Sequence, residues 1–215
     1  MRYNRKTVSV ITSPLDTSTV TRVIDTAEMK NYLRVTADDE DSLIEEFIDI
    51  ATDKAKQFMR RSVLKETLEL TMDGFGTSED DGSHDVVGTR QSVLGMPPEV
   101  DLPFPPIQSI TSIKTYGTTN VESTFTSTYY TLDTTGGRGF LNQGQVWPSD
   151  LRDRAAVKIK YVAGYGSSGK DVPAPIRMAI RMYVAEMYNC RNSCEMPAVC
   201  MDMLTPYRLY DELGY

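Results

Sequence analysis

The sequence predicts an α+β protein: a helical core formed from N- and C-terminal helices, an inserted small antiparallel β module, and an extended C-terminal tail. Three observations carry that expectation. Apolar residues recur at three- and four-residue spacing over residues 39–61 and again from Ile176 to Met187, the period of an amphipathic helix. Between Val63 and about Tyr165 the period falls to 2, with Gly and Pro between the runs, as in short strands. Beyond residue 195 the period is lost, and residues 196–215 hold two prolines, three tyrosines and scattered apolar residues. The expected organisation is an N-terminal arm (1–25), a helical core (26–62 and 172–195), the β module (63–166) and the tail (196–215). An insertion of that size is tolerable because loop-closure entropy grows only slowly with length.

The arm is polar and Thr/Ser-rich, with two β-like runs at 8–12 and 18–24. Asp25 or Thr26 then caps a short helix with Met29, Tyr32 and Leu33 on one face, and Glu28 stands where it reaches back to the cap's N–H. The helix over about 39–61 is the clearest in the first half, with Leu43, Ile44, Phe47, Ile48, Ala51, Ala55 and Phe58 forming one stripe. Asp38, Asp39, Glu40 and Asp41 open it, and Lys54, Lys56, Arg60 and Arg61 close it, so both ends complement the helix macrodipole. Ordinary helix stabilisation explains that charge more readily than an acidic partner-binding patch.

In the module, strands are expected over Thr67–Met72, Ile107–Tyr116 and Ala156–Val162. A hairpin is expected where Tyr129–Leu132 and Gly139–Leu141 flank a Thr-Thr-Gly-Gly turn. Residues 74–88 read as a long acidic loop. The last helix is expected to start after Asp171-Val172-Pro173-Ala174-Pro175, where Pro fits the first turn, and to run to about Arg191.

Composition excludes several classes. A hydrophobic share of 40% is enough for a core, and no run approaches the roughly eighteen apolar residues of a membrane span. The first residues lack a long apolar stretch and a small-residue cleavage site, so no signal peptide and a cytoplasmic place of synthesis are expected. Three cysteines there argue against a disulfide framework. A net charge of −7 argues against a sequence-independent grip on nucleic acid.

The residues that could carry chemistry do not assemble into a catalytic pattern, and no enzyme activity, cofactor or metal is expected. His84, the single histidine, lies in the acidic loop without rigid support for a general base. Cys190, Cys194 and Cys200 lack the second pair of a zinc site, and their spacing fits small buried hydrophobes. Gly164 to Lys170 matches a phosphate loop as far as its Gly-Lys, but Asp171 stands where Ser or Thr is required, and a strand-to-helix turn is expected. Carboxylate pairs such as Glu45/Glu46 and Asp80/Asp81 are ordinary in an acidic chain. Trp147 is expected to pack on the β module rather than stack on a ligand.

Several stretches, in order, resemble the head–tail connector family of tailed bacteriophages. They are Thr26–Val35 with Asp38–Asp41 and Leu43-Ile44; Leu102-Pro103 with Ile107–Ile110; Val157–Gly166 with Val172–Arg177 and Ala179-Ile180; and Leu204–Arg208. The acidic loop 74–88 and the two ends depart from the family. The resemblance implies a structural adaptor in the virion neck: a ring of about a dozen copies under the portal, extending the DNA channel and docking the tail or a stopper. DNA would pass through without specific binding, eased by an acidic wall. The resemblance also implies a portal-facing C-terminal segment, for which Leu204, Pro206, Tyr207, Arg208, Leu209 and Tyr210 are the candidate contacts, with aromatic anchors. Packing of that segment onto its own helices is the competing expectation. Alternatives are another neck or tail-completion protein, or a carbohydrate- or host-binding role for the β module.

Overall fold

The longest helix shows how the sequence positions everything else in its unit. Ile44, Ile48, Ala51, Ala55 and Met59 of helix α2 (Asp41–Met59) are buried, while Leu43, Phe47 and Phe58 border that stripe. A left-handed Arg60 ends it, its N–H bonded to the Lys56 carbonyl. The computed structural model describes residues 6–12, 21–75, 89–90, 99–190 and 195–209. The chain divides into two units, one of residues 13–65 and 164–215, the other of residues 1–12 and 66–163.

The first unit is helical. Helix α1 (Thr26–Leu33) is capped by Asp25, whose carboxylate accepts from the Ala27 N–H at 3.2 Å. Helix α3 (Ala174–Cys190) turns Ile176, Ala179, Ile180, Tyr183, Val184 and Met187 onto α2 and α1. The expected reach of Glu28 back to the cap is not made: its carboxylate pairs with Arg181 of α3, a charged partner that outbids a neutral N–H. Arg22 is likewise spent on tertiary structure, bridging Glu45 at 3.2 Å and Asp49 at 2.9 Å.

Two expectations for this unit need correction. Residues 21–24 are not strand; Val23 and Ile24 are buried in the helical core. The segment after residue 195 is not extended where it is described. Ala198–Leu204 is helix α4, Thr205–Tyr207 is a 3₁₀ turn, and Cys200 and Leu204 enter the core. A single apolar face only two residues deep is too short to show a period.

The second unit is the β module, and every recorded strand pair in it is antiparallel. Strands β1 (Lys6–Thr12), β2 (Glu66–Met72), β5 (Ile107–Tyr116), β6 (Glu122–Phe125) and β9 (Val157–Ala163) form one sheet in the order β1-β2-β9-β5-β6. Strands β3 (Thr89–Arg90), β4 (Glu99–Asp101), β7 (Tyr130–Asp133) and β8 (Arg138–Leu141) form a second, in the order β3-β4-β8-β7. Register puts Leu68 opposite Tyr161, Leu70 opposite Ile159 and Met72 opposite Val157, all facing one core. The β-like run at 8–12 is thus an edge strand on β2 rather than a free arm.

Candidate functional site

The C-terminal segment lies against the last turn of α2. The Nε–H of Arg61 donates to the Tyr207 carbonyl at 2.6 Å, and the Leu209 N–H donates to the Met59 carbonyl at 3.0 Å. The guanidinium of Arg208 sits 5.1 Å from the centre of the Phe58 ring. Leu204 is 1% exposed and belongs to the interior, whereas Pro206 is exposed and Tyr207, Arg208 and Leu209 are half-buried. Tyr210 lies outside the described residues. The six expected contacts therefore fall into one core residue, four that present surface and one undescribed.

Two arginines take part in this contact, Arg61 and Arg208, both half-buried, and Arg60 at the end of α2 is exposed. Half-buried Tyr165 is close enough to Arg61 and Tyr207 to feel both, although burial is the main force raising its phenol above the usual range. The opposite end of α2 is acidic and internally tied. Lys30 bridges Asp38 and Asp41, at 2.5 and 2.7 Å, and Tyr188 donates to Glu40. The hydrogen bond from Lys30 holds the Asp38 carboxyl below its ordinary value, and the bonds to Asp38 and then Asp41 hold the Lys30 ammonium above its own.

The remaining candidates have structural surroundings. Gly164, at φ +116°, and Gly169 bring the 164–170 turn flush against the backbone of Leu64 and Val23. Ser168 and Asp171 form a reciprocal cap there, so the carboxylate that breaks the phosphate-loop pattern closes the turn. Exposed Cys190 donates to Glu186 at 3.0 Å and buried Cys200 is packed; the bond in one and burial in the other raise the thiol pKa. Cys194, His84, Asp80 and Asp81 lie outside the described residues. Among the described residues no group of His, Cys, Asp and Glu has the arrangement to hold a metal ion, and no helix is long and apolar enough to cross a membrane. Trp147 stacks on Phe75 at 4.2 Å in the module core. An open depression of about 490 Å³ beside β6, lined by Val121, Phe125, Pro148 and Leu151 among others, gathers no cluster of charged groups.

The C-terminal segment and the last turn of α2 thus form one packed contact, hydrogen-bonded through Arg61 and Leu209 and edged by Phe58 and Tyr207. A family model described as phage gp6-like head–tail connector protein matches residues 24–136, just over half of the sequence, and the chain belongs to that family. Among curated proteins none matches the chain by sequence. The fold is similar to a chain in the neck of an empty GTA particle computed with C6 symmetry, at TM-score 0.73 and 17% identity, covering 97% of this chain and 98% of that one. It is also similar to chains in the virion of a native gene transfer agent (GTA) particle (TM-score 0.66, 16%) and in the neck of a native GTA particle computed with C12 symmetry (0.65, 16%). Both of these likenesses cover 97% of this chain and 98% of the other.

Proposed function

We propose that this protein is a ring-forming adaptor of the virion neck that sits under the portal, continues the DNA channel and offers the tail or a stopper a surface to dock on. Its work is assembly, without catalysis and without a cofactor. Membership of the connector family carries the reading, and the similarity along nearly the whole chain to neck proteins computed with C6 and C12 symmetry supports a ring. The portal-facing surface is Pro206, Tyr207, Arg208 and Leu209, continued by Tyr210, with Leu204 as the buried anchor that positions them. Repetition around a ring turns modest single contacts into a durable joint. DNA passes by without sequence readout.

The test is co-sedimentation of the full chain with the portal protein of the same particle. Since Cys200 and Leu204 are core residues, the segment is probed by substitution rather than removal. Pro206→Ala with Tyr207→Ala is expected to weaken portal binding roughly tenfold or more while the fold stays intact. Unchanged binding by that variant removes the segment from the portal interface. Failure of the wild-type chain to bind any portal removes the adaptor reading.

A further inference from the structure

Among the described residues the five-stranded sheet of the β module is open at both ends: β1 pairs only with β2, and β6 only with β5. The Gly117 N–H donates to the Val121 carbonyl at 3.2 Å, whereas the Tyr116 N–H turns away from β6 and donates to the Ala156 carbonyl at 2.8 Å. Backbone groups alternate sides along an antiparallel strand. Ser123 and Phe125 therefore bond to β5, and the N–H and C=O of Glu122 and Thr124 point outward from the edge.

Such an edge is a template for a further strand unless Lys, Pro or a bulge guards it. Strand β6, Glu-Ser-Thr-Phe, has none of these. The charge of Glu122 does not guard it either, because Lys114 at 2.6 Å and Tyr116 at 2.7 Å hold its carboxylate. In β1 the one irregularity falls near the end, between Val10 and Thr12, and Lys6–Val10 pair with β2 in unbroken register. The exposed large apolar residues described in the module are Ile11, Val121, Tyr129 and Val146. Ile11 lies in β1 and Val121 leads into β6. Tyr129 packs edge-on against Phe125 of β6, and Val146 adjoins Trp147, which also meets Phe125. Apolar exposure thus gathers at the two edges. The open depression of about 490 Å³ lies on the core side of β6, the side to which Phe125 and Leu151 pack. Val8 of β1 faces the same side, opposite Leu70.

We infer that the β6 edge takes strand β1 of a second copy of this chain, so that one sheet runs on into the next. The inference rests on the ring reading above and names the surfaces that close it. A ring needs two different surfaces per subunit that fit each other, and the two edges of one sheet are such a pair. In this all-antiparallel sheet β1 and β6 are first and fifth in order and run the same way, so a neighbour in the same orientation lays its β1 parallel to β6. Its Val8 then flanks the depression beside Val121 and Phe125. Parallel pairing along so short a strand is a modest contact, which closure around a ring multiplies. A second copy is favoured over a foreign strand because this chain itself exposes the matching edge, with apolar residues at both.

The experiment is sedimentation velocity of the full chain, alone and on the portal. Thr124→Pro removes an outward N–H and leaves the bonds to β5 in place; it is expected to raise the concentration for half-assembly roughly tenfold or more. Thr124→Val keeps the N–H and is expected to assemble as the wild type does. Circular dichroism melting checks that both are folded. Oxidative cross-linking reads the pairing independently. Thr124→Cys combined with Thr7→Cys or with Ser9→Cys, all on the outer face of the sheet, is expected to give a ladder of covalent oligomers. The single-cysteine variants, and the wild type with its native thiols, are expected to give none. A wild type that assembles, with Thr124→Pro assembling equally well and neither cysteine pair linking, overturns the inference and leaves the ring reading standing. Thr124→Cys that links to itself also overturns it, assigning the edge to a two-fold dimer. Portal binding lost in Thr124→Pro with self-assembly unchanged assigns the edge to a foreign strand instead. A wild type that never assembles, alone or on the portal, overturns both readings.

Discussion

Arg61 and Tyr207 are joined by a 2.6 Å hydrogen bond from the guanidinium Nε–H to the backbone carbonyl, across 146 residues of sequence. A charged donor on a half-buried carbonyl is worth more than a neutral pair. The bond fixes the point where the chain leaves the 3₁₀ turn, so it decides the direction taken by Arg208 and Leu209. Arg61→Ala is expected to cost about 1–3 kcal/mol and to free the segment beyond Tyr207. Hydrogen exchange reads this directly, because the Leu209 N–H is bonded to Met59. Faster exchange at Leu209, with α2 still protected, is the expected result; unaltered exchange would mean that packing of Leu204 and Tyr207 holds the segment alone.

The link between α1 and the turn before α2 depends on pH at both extremes. The Asp38 carboxyl is held below its ordinary 3.8 by the hydrogen bond from Lys30, so its contribution is present above that value and is lost as pH falls through the lower, folded-state value. Lys30 is held above its ordinary 10.5, so its contribution is present below that value and is lost as pH rises through the higher one. Asp38 is exposed and Lys30 only half-buried, so the effect is small and shrinks with salt. Lys30→Met is expected to flatten thermal stability against pH below about 4, and NMR titration of Asp38 in that variant should return its ordinary midpoint.

Trp147 is the single tryptophan and stacks on Phe75 with the rings 10° from parallel. Phe125 closes one side at 5.2 Å. Phe75→Ala removes one wall of this buried aromatic group and is expected to cost about 3–5 kcal/mol. Its emission should shift to the red as water reaches the indole. An unshifted spectrum would place the ring elsewhere than in the module core.

The sequence revealed elements wherever a period ran for two turns or five strand residues. Helix α2, strand β9 and helix α3 fall within about two residues of expectation, and β5 spans the run Ile107–Tyr116. Short elements without a repeat stayed hidden. Strand β6 is a polar edge of four residues, exposed along three of them, and α4 buries only Cys200 and Leu204. The candidate interface was legible as residue types, Tyr and Arg near the C-terminus, but not as surface. That Leu204 faces inward while Pro206 faces outward depends on tertiary packing that no local pattern encodes.

Gly169 tests whether the 164–170 turn is architecture or a nucleotide loop. A Cβ at this position would stand 2.0 Å from the Val23 carbonyl oxygen, and at Gly164 one would stand 2.2 Å from the Leu64 carbonyl oxygen. Both obstacles are backbone atoms of the helical unit, which cannot swing aside as a side chain does. At Gly164 the φ of +116° adds conformational strain for any residue with a side chain. Gly169→Ala and Gly164→Ala are therefore each expected to cost on the order of 2–4 kcal/mol. Lys170 is exposed, and Lys170→Met is expected to change stability by less than about 0.5 kcal/mol. A nucleotide loop predicts a different ordering: Lys170→Met would abolish a thermal shift caused by ATP, whereas the architectural turn gives no ATP shift in the wild type. Differential scanning fluorimetry of the three variants with and without ATP separates the two, since only close backbone contact makes the glycines matter while the lysine does not.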